Sequence, residues 1–271
     1  MKSDFYLFCL LSAVAGVVLF IGCGVIGGPP GNLQVAAATD STVQLVWTTP
    51  AAGVPDSFLI YFCPVNESVF TIIGDTSANT FVHNPQGRTG RYLVSAVFAG
   101  KEYKSDTVTT IPVHTEAQII SELDGTGNAG YGWDIDSGFA RSYSMRDTAN
   151  APKVAFYITD FTTGSSLPYR IASPTMGPSD PSGVVPTGSW RKSGFTDPLL
   201  DENAPLPKID STRYFNYSTI PHTSLPAYFG VYTTADDHYA LIKVIRVNGA
   251  NATVEIESWF QVIPGLRLIE H

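Results

Sequence analysis

Few side chains in this 271-residue sequence stand at spacings that chemistry can use. Asp134-Ile135-Asp136 is an Asp-x-Asp pair, two oxygen donors of the kind calcium takes, but a calcium loop needs further ligands at set spacings and none follow. The pair is therefore read as solvent-exposed. Any two of Asp124, Asp136 and Asp160 would serve as acid and base for glycoside cleavage if they faced each other across roughly 5 to 10 Å, a separation that sequence does not supply. His222 and His238 are the histidines inside the body of the C-terminal half, and both are expected at exposed turns or surfaces. The three cysteines, Cys9, Cys23 and Cys63, are too few for a zinc site built on several thiolates. There is no Gly-x-Ser-x-Gly elbow, His-Glu-x-x-His helix, phosphate loop or dinucleotide fingerprint. The expectation is a non-enzymatic chain with no catalytic residue, no metal ligand and no cofactor, and with any ligand-binding residues unknown.

Composition narrows the classes further. With 44% hydrophobic, 12% aromatic and only 15% charged residues, the chain has the material of a packed core and not of a disordered segment. The 19 prolines and 24 glycines call for many turns. A formal charge of −8 disfavours nucleic acid, whose phosphates need a basic surface, and no polybasic run is present to attract anionic lipid.

The elements that would position any site are strands. Val43, Leu45 and Trp47 alternate with Thr42, Gln44 and Val46, and Phe58, Ile60 and Phe62 alternate with Leu59, Tyr61 and Cys63. A third run holds Tyr92, Val94, Ala96 and Phe98, and Val108 and Ile111 come later. Such period-two runs, separated by turn residues every 8 to 12 positions, describe an antiparallel sandwich. Beyond Pro112, Ile119, Ile120 and Leu123 suit either a strand or a brief helical turn. Strand-like runs then recur at 131–135, 139–144, 154–161, 169–172, 228–232, 239–247 and 253–263. The last two flank Asn248-Gly249-Ala250-Asn251, a strong hairpin signal. Val254, Ile256, Ser258, Phe260 and Val262 are expected on one face of the hairpin's second arm, with Glu255, Glu257, Trp259 and Gln261 on the other.

Between about 173 and 223 no period holds and prolines accumulate. Loops of this length inside a compact domain are uncommon unless functional or disordered. Trp190, Phe195, Leu199, Leu200, Tyr214 and Phe215 are expected to pin this region to the sheet as an ordered irregular layer. The space beneath it is the first place to look for a ligand.

Three resemblances sharpen these readings. Lys2 precedes an apolar run from Phe5 to Gly22, which ends in Leu19-Phe20-Ile21-Gly22-Cys23 and resembles a bacterial lipoprotein signal. The resemblance implies cleavage after residue 22, lipidation of Cys23 and attachment to the cell envelope, with residues 23–31 as a Gly/Pro-rich tether. An uncleaved anchor is the alternative, since about 18 apolar residues just span a bilayer. Pro30 with Leu33, then Leu45 and Trp47, Phe58 and Ile60, and Tyr92, Val94 and Ala96 before Gly100-Lys101-Glu102 make residues 32–113 resemble a fibronectin type III domain. That resemblance implies that Trp47 packs between the sheets and that the Tyr92 hydroxyl bonds back to backbone. Tyr228-Phe229-Gly230-Val231-Tyr232 through His238-Tyr239-Ala240, with Trp133-Asp134-Ile135-Asp136, looks like parts of the HmuY-type haem-binding lipoprotein domain. This implies an all-β domain over residues 118–271 and raises haem as a ligand, although haem needs axial ligands and an apolar slot. With a bacterial-type signal, the glycosylation triplets at Asn66, Asn216 and Asn251 are read as coincidences.

The expected whole is all-β: a fibronectin type III sandwich, then a larger antiparallel β domain with a long proline-rich irregular layer. Its expected role is that of a membrane-anchored lipoprotein that binds a protein, glycan or small-molecule partner. A structural spacer, a carbohydrate-active enzyme and a haem-binding lipoprotein are the alternatives.

Overall fold

The computed structural model describes residues 27–210 and 212–271. The stretch expected to be a signal, with Cys9 and Cys23, lies outside the described residues, and among those described no helix is long and apolar enough to cross a membrane.

The first body is built from β1 (Gly31–Ala37), β2 (Val43–Thr48), β3 (Ser57–Pro64), β4 (Thr71–Thr76), β5 (Thr80–His83), β6 (Gly90–Phe98), β7 (Lys101–Lys104) and β8 (Val108–Thr109). Sheet β1-β2-β5 packs on sheet β4-β3-β6-β7, with β8 paired to β6. This is the two-sheet sandwich that the alternation implied. Val43, Leu45, Ile60, Tyr92, Val94 and Ala96 are wholly excluded from solvent, and each large apolar side chain so buried stabilises by about 1.5–3 kcal/mol. The β6–β7 hairpin closes through Ala99 and Gly100, both at positive φ, as a two-residue turn matched to strand twist requires.

Two local expectations resolve differently or more finely, and the state of Cys63 becomes visible beside them. Trp47 does pack between the sheets, edge-on to Phe58 at 5.3 Å, but its indole N–H is buried without an acceptor among the described residues. The Tyr92 hydroxyl bonds the imidazole Nδ1 of His83 at 2.9 Å, not backbone, because β5 ends there beside it. Cys63 is a fully buried free thiol on the face opposite Phe58, Ile60 and Phe62, and receives an N–H from Arg91 at 3.3 Å.

The second body contains β9 (Val113–Ser121), β10 (Gly130–Trp133), β11 (Ala140–Tyr143), β12 (Phe156–Thr159), β13 (Arg170–Ala172), β14 (Ser193–Phe195), β15 (Tyr217–Thr219), β16 (Ala227–Thr233), β17 (His238–Asn248) and β18 (Thr253–Phe260). They form two five-stranded antiparallel sheets, ordered β11-β10-β12-β13-β15 and β14-β16-β17-β18-β9. Tyr131, Trp133, Phe156 and Ile171 from the first meet Phe229, Ile242, Ile256 and Phe260 from the second in one core. The Tyr131 hydroxyl and Trp133 indole both reach Ser258 Oγ, at 2.8 and 3.1 Å, so the polar group in the middle of this interface is satisfied. Residues 113–121 are strand, not helix, and run along β18 from Val113 against Phe260 to Ser121 against Thr253. The 248–253 hairpin is present, with Asn248 opposite Thr253.

The proline-rich region does more than cover. It supplies an edge strand to each sheet, β14 and β15, and Phe195 enters the central core. Val185 and Trp190 seal the outer face of the first sheet over Tyr157 and Ala172, while Leu206 and Tyr214 seal the outer face of the second over Tyr239, Leu241 and Trp259. Leu200, expected to pin the layer, is 98% exposed, and Phe215 is also exposed. Their neighbours Leu199 and Tyr214 take the inward positions instead.

The chain end departs most from expectation. The last strand stops at Phe260 rather than Ile263, and the segment after it turns back onto the first body. Gln261, fully buried, donates to the carbonyls of Thr110 and Leu268, each at 2.8 Å. Ile263, Leu266 and Leu268 then join the sandwich core. Arg267 pairs with Asp40 at 2.9 Å, and the Glu270 carboxylate accepts the Thr89 amide at 2.9 Å. Residues expected to belong to 118–271 alone thus complete the core of the preceding sandwich.

Candidate functional site

Over the second sheet the space beneath the proline-rich layer, where a ligand was expected, is filled by Leu206 and Tyr214 packed on Tyr239, Leu241 and Trp259, and an opening of about 440 Å³ remains among the layer's own Met176, Asp197, Phe215 and Tyr217. An open crevice of about 670 Å³ lies elsewhere, where Glu202–Leu206 of the layer meet Gln86–Arg88 and the chain end. A larger cleft, about 740 Å³, opens at the end of the second body, within the range of small-molecule sites.

This larger cleft is assembled from four separate pieces of chain. Strands β10 and β11 place Trp133 and Tyr143 on it, and their connecting turn brings Asp134, Ile135 and Phe139. The turn is held by its own bonds: Asp134 Oδ1 accepts both the amide and the hydroxyl of Ser137 at 2.8 Å, and the Asp134 amide reaches Phe139 O at 3.0 Å. Gly138 takes φ +76° there and presses on Val113 and Val262, where any Cβ would collide. The Ser137 amide and hydroxyl, with Arg141 nearby, hold the Asp134 carboxyl below the usual carboxylate range, so it is ionised.

The second piece is Pro152-Lys153. A Cβ on Gly132 would overlap the Lys153 carbonyl, so glycine is what lets this segment lie against β10. The third and fourth pieces are Arg191 and Asp236. Ser193 pairs with Thr233 and the Thr234 amide reaches Lys192 O at 3.1 Å, which sets Arg191 beside the β16–β17 turn. There its guanidinium pairs with the Asp236 carboxylate and also donates to Pro152 O at 3.0 Å. Asp236 is therefore paired, and Asp134 is tied through one oxygen to its own turn. Arg141 and Lys153 have no carboxylate within 4.0 Å among the described residues. Phe139 and Ile135 expose apolar surface at the rim, 57% and 45%.

Of the residues singled out from sequence, Asp134 lies in this cleft, whereas Asp136 sits in the same turn without lining it. The two belong to a turn and not to one strand face, so they do not act as a paired donor set. Asp160 is 3% exposed, and both its oxygens are taken by Thr162 and Ser166, at 2.6 to 3.0 Å. Asp124 accepts the Gly164 amide at 2.6 Å, so it ties down the same loop instead of facing Asp160 across open space. His238 is not exposed but 3% accessible, with Nδ1 against Gln261 O at 2.8 Å and its ring 4.9 Å from Phe260. Its burial against Phe260 lowers its pKa. His222 is exposed, and neither histidine lines the two clefts.

Sequence reading missed Phe139, Arg141, Lys153, Arg191 and Asp236 as a group. Phe139-Ala140-Arg141 straight after an Asp-Ser-Gly turn was the available local signal; the meeting of Arg191 with Asp236 had none.

A second polar cluster lies on the outer face of the β16-β17-β18-β9 sheet. His114 Nε2 meets Glu257 Oε1 at 2.7 Å, and Lys243 Nζ lies 3.3 Å from Glu257 Oε2. Trp259 stacks with His114 at 4.9 Å and with His271 at 3.9 Å. Among the described residues, His114, Glu116 and Glu257 could hold a cation, with donor atoms within 4.8 Å of one another. The Lys243 ammonium opposes a second positive charge at that point.

No family model and no curated protein matches the chain. Among solved structures it is similar to the FN5 domain of Drosophila Lar, at 11% identity and TM-score 0.27, covering 31% of this chain and 94% of that one. An FN3 domain of human collagen XX is similar at 20% identity and TM-score 0.26, covering 31% and 93%. A DUF4466 family protein from Parabacteroides merdae is similar over 86% of this chain and 99% of its own, at 11% identity and TM-score 0.39.

Proposed function

We propose that this chain is a membrane-anchored lipoprotein of the bacterial cell envelope that binds a ligand without transforming it. A lipid on Cys23 is the tether, the sandwich is the spacer, and the second body presents the cleft around Trp133 and Phe139. The observation that carries the binding reading is the make-up of the cleft: Asp236 is paired with Arg191 and Asp134 is held in its own turn through Ser137, while Arg141, Lys153 and the rim aromatic face solvent. Acid–base chemistry needs a carboxylate positioned on the substrate, whereas recognition needs donors and apolar surface.

Thermal unfolding of the detergent-solubilised full chain against a panel of sugars, acids and peptides tests this. A ligand at about 100 times its Kd should add roughly 2.7 kcal/mol of stability, and Phe139→Ala should remove that gain. A ligand gain that survives both Phe139→Ala and Arg141→Gln would place binding elsewhere and defeat the reading. Cys23→Ser should release the protein from membranes; retention would favour an uncleaved anchor.

A structural spacer is a second reading. It is supported by the chain end, which ties the two bodies together through Leu266, Gln261 and Arg267.

A further inference from the structure

We infer that the Trp133–Phe139 cleft takes a saccharide bearing carboxylate groups, a uronate oligomer. This rests on the reading that the cleft is the binding site. Its charge runs against that of the molecule. The chain carries −8 overall, yet three cations line the cleft against two carboxylates. Arg191 and Asp236 neutralise each other, and Asp134 turns one oxygen into its own loop. What remains facing solvent is Arg141 and Lys153 with the exposed Asp134 carboxylate near Arg141, a balance that still favours the cations. Cations gathered on an otherwise acidic molecule draw anions to that spot and offer charge-assisted hydrogen bonds to a carboxylate.

The other half of the recognition is apolar. Phe139 and Ile135 show broad faces at the rim, and Trp133, Tyr143 and Pro152 continue that wall inward. Exposed aromatic surface on a turn fixed by Ser137 and Gly138 is pre-organised, so little ordering entropy is lost when a ligand stacks on it. A small inorganic anion would leave this wall unused, and a neutral sugar would leave both cations unused. A sugar acid has the C–H face for the aromatics and the carboxylate for Arg141 and Lys153. A volume of about 740 Å³ suits a short oligomer.

The test is calorimetric titration of the full chain with trimers of galacturonate and of mannuronate, their methyl esters, and the neutral galactose trimer. At least one acid trimer should bind, with its ester weaker by about tenfold or more, the worth of one hydrogen bond to a charged group. The double variant Arg141→Gln/Lys153→Gln should lose a similar factor for the acid and little for the ester, and Phe139→Ala should weaken both. These side chains are exposed, so the variants fold; circular dichroism checks this. Equal binding of acid and ester overturns the inference but leaves the cleft as a sugar site. Binding of a non-sugar ligand from the panel that is lost in Phe139→Ala, with no trimer bound, overturns the inference alone. Ligand binding indifferent to all three substitutions overturns the cleft reading as well.

Discussion

Leu266→Ala measures how far the chain end belongs to the first body. Leu266 is wholly buried and packs in the sandwich core with Ile263 and Leu268, although it follows in sequence the last strand of the other body. Truncating a buried leucine costs about 2–5 kcal/mol, and the cost is highest where the surroundings cannot collapse into the cavity. Collapse is resisted here on both sides: Gln261 holds the carbonyls of Thr110 and Leu268, and Arg267 and Glu270 are anchored on Asp40 and Thr89. A loss near about 4 kcal/mol follows. At about 2–4 °C per kcal/mol for a chain of this size, the midpoint should fall by about 8–16 °C. Differential scanning calorimetry of wild type, Leu266→Ala and the exposed control Leu200→Ala reads this directly. The control should stay within about 1 °C, as surface truncations do. A Leu266→Ala midpoint within about 2 °C of wild type would refute the placement of this segment in the sandwich core.

Other outcomes follow from single groups. Burial, reinforced by the Asp160 and Asp124 carboxylates and opposed by the Asp124 and Leu123 amides, raises Glu122 to about 7. Folding then favours its protonated form, so its contribution is intact below about pH 4.5 and is lost as pH rises through about 7, on the order of 3 kcal/mol in all. Urea midpoints at pH 5 and pH 8 should show Glu122→Gln flattening that decline, and parallel curves for the two proteins would count against it. His238 acts with the opposite sign: burial lowers its pKa, so the neutral ring is favoured and stability is lost as pH falls below its unfolded value near 6.5. His238→Gln should reduce the loss on the acid side, and an unchanged acid limb would show that the ring is not buried neutral. Tyr92→Phe leaves His83 without its 2.9 Å partner and should cost about 1–3 kcal/mol in urea unfolding; no cost would mean the bond is absent. Gly132→Ala would drive a methyl group into the Lys153 carbonyl, costing about 1–3 kcal/mol and displacing one wall of the cleft. A normal midpoint with unchanged ligand affinity would disprove that contact.

How much of the molecule was legible depended on distance along the chain. Inward residues of β2, β3, β6 and β18 could be named because period two is a local property: Leu45, Ile60, Val94 and Ile256 face the cores as their alternation required. The 248–253 hairpin was legible for the same reason. The proline-rich region was not, since its two edge strands are only three residues each and owe their conformation to neighbours already in the sheets. Which of Leu199, Leu200, Tyr214 and Phe215 turn inward has no period to announce it.

The cleft divides in the same way. Trp133, Asp134 and Phe139 lie within seven positions, and their turn residues are visible in the sequence. Arg191 and Asp236 are brought together only by the register of β14 on β16, and Lys153 only by the bare backbone of Gly132. By itself the sequence determined an all-β chain with strands, turns and a negative charge, because those follow from neighbouring residues. The tertiary structure alone decided that the chain end completes the first core and that Arg141 and Lys153 face solvent beside an exposed aromatic, because both depend on which distant surfaces are left to meet.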